Sequence, residues 1–239
     1  MGEQMVFKRY EIKYMLTKGQ RDLIQNRMRD HMTMDVHGKN TILSLYLDTP
    51  VFLLARRSME HPMYKEKLRM RSYGVAGPDS TVFLELKKKY DSVVYKRRES
   101  MTEKQLEQYV KNHVPPKDTQ IMRELAFAMG RYEGISPAVL LSYEREAFYA
   151  KEDSDFRITF DENILWRDYD VNLHSGVYGS SILAPGMMLM EVKTAGAIPM
   201  WLVKLFSEQH IYKTNFSKYG RAYENIQKQQ RNGGNYKYA

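Results

Sequence analysis

Segment after segment of this chain alternates apolar with charged side chains, and the charged positions are mostly lysine or arginine. From Tyr64 to Tyr73 one face carries Lys65, Lys67, Arg69, Arg71 and Tyr73, and the other Tyr64, Glu66, Leu68, Met70 and Ser72. A period of two is the pattern of a β-strand with its two faces in different surroundings. From Thr81 to Lys89, Phe83, Glu85, Lys87 and Lys89 oppose Val82, Leu84, Leu86 and Lys88. In the first strand Arg9, Glu11 and Lys13 oppose Tyr10, Ile12 and Tyr14, and near the end Leu189, Glu191 and Lys193 oppose Met188, Met190 and Val192. Arg145 and Arg157 hold similar places on two further strands.

For a single strand, a charged face is most simply a solvated one. Solvated faces mix Lys, Glu, Thr, Ser and Gln, whereas here cations recur on strand after strand. If helices cover the apolar faces, the charged faces point inward. About eight strands can close around a lumen that holds side chains or one small ligand. The expected fold is therefore α+β: a closed antiparallel β-barrel of about eight strands forming a basic tunnel, with covering helices. Strands are expected at 7–14, 42–48, 64–73, 81–89, 93–100, 139–149, 156–161 and 187–194. Thr17 with Gln20, and Thr102 with Gln105, form capping boxes that open helices. Further helices are expected at 118–132, 198–210 and 217–229.

Unpaired cations in one lumen repel, and burying them is costly. A phosphate chain relieves both, because arginine grips phosphate oxygens bidentately and lysine acts as a point charge. The net charge of +8 also points to an anionic partner. Glu11, Glu85 and Glu191 either pair with neighbouring bases or ligate a hard divalent cation such as Mg²⁺ or Mn²⁺; for Glu191 the metal is favoured. Ser217 is read as a helix N-cap that, with Lys218, meets an anion at the positive helix end.

Other chemistries are excluded. There is no cysteine, hence no disulfide, thiol catalysis or cysteine-bound metal, and the chain is expected in a reducing cytoplasm. No Walker loop, GxGxxG turn or HExxH pair is present. No apolar run approaches the roughly 20 residues of a membrane span. The N-terminus is charged at Glu3 and Lys8 and lacks the core of a secretion signal. Residues 1–227 are expected to form one domain and 228–239 a polar tail that frays. Exposed cations beside the 18 tyrosines could serve nucleic acid, but an enclosed charge excludes a duplex, so no nucleic acid is expected.

At these residues the chain resembles the VTC domain, the polyphosphate polymerase domain of the vacuolar transporter chaperone family. That domain belongs to the triphosphate tunnel metalloenzyme, or CYTH-like, superfamily. The resemblance runs from about Phe7 to Tyr223. It implies that Lys13, Arg69, Arg71, Lys87, Arg145 and Arg157 neutralise and align a triphosphate. It adds Arg56 or Arg57, Lys67, Lys96, Tyr143, Lys193, Ser217 and Lys218 as substrate contacts, and Glu191 as the ligand of Mn²⁺ or Mg²⁺; Arg9, which departs from the family pattern, is read as a further cation that grips the substrate. Asn215 stands where the family often has another lysine, and Lys213 is a possible substitute. Arg9-Tyr10-Glu11-Ile12-Lys13 replaces the Glu-x-Glu-x-Lys of hydrolytic relatives, which favours a polymerase. The implied reaction is transfer of the γ-phosphoryl group of ATP, or another nucleoside triphosphate, to phosphate or polyphosphate. The alternatives are metal-dependent hydrolysis and a non-catalytic polyphosphate sensor.

Overall fold

A computed structural model describes residues 10–60, 62–91, 93–153 and 155–234. Among them ten strands form one antiparallel sheet. In chain order they are β1 (Tyr10–Thr17), β2 (Met32–Asp48), β3 (Tyr64–Tyr73), β4 (Thr81–Tyr90), β5 (Val93–Thr102), β6 (Ser136–Ala150), β7 (Arg157–Arg167), β8 (Ser180–Ser181), β9 (Met187–Thr194) and β10 (Lys213–Thr214). The spatial order is β10-β1-β9-β7-β6-β2-β3-β4-β5, with β8 beside β7. Six helices accompany them: α1 (Lys18–Met28), α2 (Leu53–Met59), α3 (Glu103–Asn112), α4 (Gln120–Gly130), α5 (Met200–Glu208) and α6 (Lys218–Gly234). Both expected capping boxes form, at Thr17 for α1 and Thr102 for α3. No helix among the described residues is long and apolar enough to cross a membrane.

The alternation sorts the sheet into two faces. On the outer face α3 and α4 place Leu106, Tyr109, Met122 and Leu125 against Leu68, Met70, Leu84 and Leu86. α1 and α5 place Ile24, Met28, Leu202 and Phe206 against Leu16, Ile158 and Met190. Burying such side chains stabilises a fold by about 1.5–3 kcal/mol each, which commits the opposite, charged face to the inside.

The closed barrel is not what forms. The sheet is open: β5 ends one side of the strand order, β10 the other, and no backbone ladder joins them. The ends come only within side-chain reach, where Lys87 on β4 meets Glu11 on β1 at 2.6 Å. Two physical reasons account for this. α6, expected among the covering helices, lies on the inner face, with Tyr219, Ala222 and Ile226 against Tyr46, Val139, Leu141 and Trp166. An eight-stranded barrel has no room for a helix. The rim is also charged: β5 carries Lys96, Arg97 and Arg98, and charged edges resist further pairing.

α2 has no sequence signal of its own. Its N-cap, Phe52, is left-handed with φ 53° and offers no side-chain cap. Asp48 does that work from the end of β2. Its Oδ1 accepts from the backbone N–H groups of Thr49 (2.8 Å) and Leu54 (2.9 Å), and its Oδ2 from that of Ala55 (2.9 Å) and the Tyr219 hydroxyl (2.7 Å). Asp48 is fully buried, so Asp48→Ala leaves buried donors unpaired. The expected loss is about 3 kcal/mol or more, read as a lower urea midpoint at unchanged slope. A loss under about 1 kcal/mol would mean that α2 does not depend on the Asp48 carboxylate.

Candidate functional site

Between the inner face and the start of α6 lies a cavity of about 650 Å³. Period-two placement brings the cations to it. β3 contributes Lys67, Arg69 and Arg71; β4 Lys87; β5 Lys96 and Arg98; β6 Tyr143 and Arg145; β7 Arg157; β9 Glu191 and Lys193; β1 Lys13; and α6, with its cap, Ser217 and Lys218. Among the described residues, twelve basic and two acidic side chains line it. Of the residues singled out in the sequence, Arg56 and Arg57 are exposed on α2 and line no part of it, although Ser58 and Met59 of that helix border an adjoining cavity of about 600 Å³. Asn215 borders that second cavity; Lys213 does not. Arg9 lies outside the described residues.

The few acids are deeply engaged. Glu85, with a side chain only 1% exposed, accepts from Arg69 at 2.6 Å and Arg98 at 2.7 Å and pairs with Lys96 at 2.8 Å. Burial pushes its carboxyl up, but Arg69, Arg71, Lys96 and Arg98 outweigh burial and hold it far below the carboxylate range. Lys96 in turn is lowered to about 8, by burial against the pull of Glu85. Asp161, fully buried, takes a bidentate Arg145 at 2.5 and 2.7 Å and also Lys218. Glu191 pairs with Lys193 at 3.0 Å. Burial raises its carboxyl, but Lys193, Lys13 and Arg145 carry it well below its ordinary value, and Glu11 lies beside it.

Tyr46 and Tyr143 face the same space. Tyr46 accepts from Arg69 at 3.3 Å and Tyr143 from Arg71 at 3.2 Å. Burial would raise both phenols, yet the surrounding arginines and Lys218 lower them. Ser217 Oγ accepts from the Gly220 backbone N–H at 3.1 Å, the expected N-cap of α6. Lys13 donates to the Phe216 carbonyl at 3.0 Å and so stands beside that helix end.

Glu85 and the other acids thus leave a large excess of positive charge, spread along one face and open at the sheet's rim. The VTC domain family model matches residues 8–226, nearly the whole chain. The chain belongs to the VTC domain family. No curated protein sequence matches this VTC domain. Among solved structures it is similar to a candidate adenylyl cyclase from Hippeastrum, described as having a dominant triphosphatase activity. The two share 15% identity over 90% of this chain and 95% of the other, with a TM-score of 0.55. A candidate adenylate cyclase from Bacillus halodurans shares 12% identity over 90% and 96%, with a TM-score of 0.52. At these identities the likeness is one of fold. Membership of the VTC domain family fits chemistry on tri- or polyphosphate.

Alternation could have located three residues that sequence reasoning passed over. Arg98 is two residues from Lys96, Asp161 is two pairs along β7 from Arg157, and Tyr46 sits beside Arg69 in register. A separate group, Glu103, Glu107 and His174, gathers within 4.8 Å at α3, but Glu103 and His174 already bond at 2.9 Å and none of the three lines either cavity.

Proposed function

We propose that this VTC domain transfers the γ-phosphoryl group of ATP to phosphate or to a growing polyphosphate chain in the inner-face cavity. The observation that carries the reading is the run of cations through two adjoining cavities, which share Lys13, Lys67 and Lys87. A compact anion needs one such chamber; a chain of phosphates can occupy both.

The protein's part is positioning and charge stabilisation, which suffice for phosphoryl transfer. Arg69, Arg71, Arg145 and Arg157 grip phosphate oxygens, and Lys13, Lys87 and Lys218 add point charges. An oxygen of the acceptor phosphate attacks the γ-phosphorus in line, the bond to the bridging oxygen breaks, and ADP leaves with that electron pair. Mg²⁺ and Mn²⁺ are held by one or two carboxylates plus substrate phosphates. Buried Glu191 with Glu11 beside it offers that donor set, so the residues fit such an ion. When bound, the ion would neutralise charge across the phosphate oxygens.

A second reading is hydrolysis of tri- or polyphosphate, favoured by the triphosphatase activity described for the Hippeastrum neighbour. The test incubates the pure protein with ATP and Mn²⁺ and resolves the products on a polyphosphate gel. Long chains are expected. Orthophosphate alone, from ATP or tripolyphosphate, would replace the polymerase with the hydrolase.

A further inference from the structure

We propose that Lys67 is largely a neutral amine in the free protein at mildly alkaline pH and takes up a proton as a polyanion loads, coupling binding to proton uptake. The inference rests on reading the cavity as a polyphosphate site. Lys67 borders both cavities and so occupies the neck between them. Its Nζ donates to Ser217 Oγ at 3.2 Å, and a hydroxyl supplies no counter-charge. Among the described residues no carboxylate pairs with it.

Around the neck the carboxylates are already paired and the other charges are cations, among them Arg145 on β6 and Lys96 on β5. On β1, Glu11 is held by Lys87 at 2.6 Å, and Lys13 is a like charge. On β3 itself stand Lys65 and Arg69, and on β4 Lys87 and Lys89, while Glu85 is taken by Arg69, Lys96 and Arg98. On β9, Glu191 pairs with Lys193; on β7, Asp161 pairs with Arg145 and Lys218. On α6, Glu224 pairs with Arg221 at 2.8 Å, and at the end of β2 Asp48 is used by backbone N–H groups and Tyr219. Burial, then Lys13, Lys87, Lys65 and Arg69, lower the Lys67 amine to about 7. An arginine here could not lose its charge. A lysine can, which relieves repulsion in the free protein. Phosphates threading the neck supply the missing negative charge, and the amine takes a proton from water to become an ammonium.

The sign follows from linkage. Binding raises the amine's pKa, so affinity is full below about pH 7 and falls as pH rises above it, by up to about tenfold per pH unit. Calorimetry of metal-free tripolyphosphate at pH 8, in buffers of different ionisation enthalpy, counts the protons. Wild type is expected to take up about one proton more than Lys67→Arg, because the ligand's own protons and those of Lys96 are common to both. Equal counts overturn the proposal. In the free protein, ¹³C NMR of the lysine ε-carbons should show a resonance that titrates near pH 7 and is lost in Lys67→Arg. Absence of that resonance overturns the proposal whether or not tripolyphosphate binds. If wild type does not bind tripolyphosphate, the polyphosphate reading of the cavity fails, and the NMR titration still decides Lys67.

Discussion

Glu191→Gln is expected to cut turnover of ATP by at least about a hundredfold in Mn²⁺ or Mg²⁺, while metal-free tripolyphosphate binds as well as before or better. The substitution keeps shape and burial and removes one negative charge from the cavity wall. If Glu191 holds a divalent ion, losing the carboxylate removes several kcal/mol of stabilisation from the reacting phosphates. The same loss frees Lys193, Lys13 and Arg145 from the charge that now restrains them, so bare anions meet a more positive site. The two effects therefore move in opposite directions, which a general loss of structure would not do. Turnover within about threefold of wild type would show that Glu191 is only a counter-ion for Lys193.

The contrast between Glu191 and Glu85 marks how far the sequence could be read. Alternation placed both on the inner face, and it placed Lys67, Arg69, Arg71, Lys87 and Arg157 there with them. β3 even begins and ends where the pattern predicts, at Tyr64 and Tyr73. The reason is local: side-chain direction in a strand depends only on position along it. Pairing is not local. Nothing in the pattern says that Glu85 is shared by three cations while Glu191 faces the cavity beside Glu11.

Closure was illegible for the same reason. Whether β5 finds a partner depends on β1 and β10, which are remote in sequence, and on where α6 packs, and α6 presents an ordinary amphipathic pattern that suits either face. α2 escaped notice because its cap, Asp48, precedes it across a turn. The first half of β2, from Met32 to Asn40, is mostly exposed and shows no apolar face to read.

Asp161→Asn should destabilise the fold by about 3–5 kcal/mol, the usual result of removing one partner from a buried ion pair. Asp161 is fully buried, and among the described residues it is the carboxylate that pairs with both Arg145 and Lys218. With the charge gone, two cations on β6 and α6 face one another across the inner face. Burial pushes the Asp161 carboxyl up, but Arg145 and Lys218 overcome burial and depress it below its ordinary value. A depressed carboxyl stabilises the native state above its unfolded value, near pH 4, and that contribution fades as pH falls further. The gap between wild type and variant in urea denaturation is therefore full at pH 7 and narrows below about pH 4. Tripolyphosphate adds a second test. It supplies negative charge to the two stranded cations, so the variant should bind it more tightly than wild type does, and near 100 times its Kd it should return about 2.7 kcal/mol. A variant within about 1 kcal/mol of wild type at pH 7, or one that binds tripolyphosphate no more tightly than wild type, would mean that Arg145 and Lys218 find other partners and that Asp161 does not hold the site together.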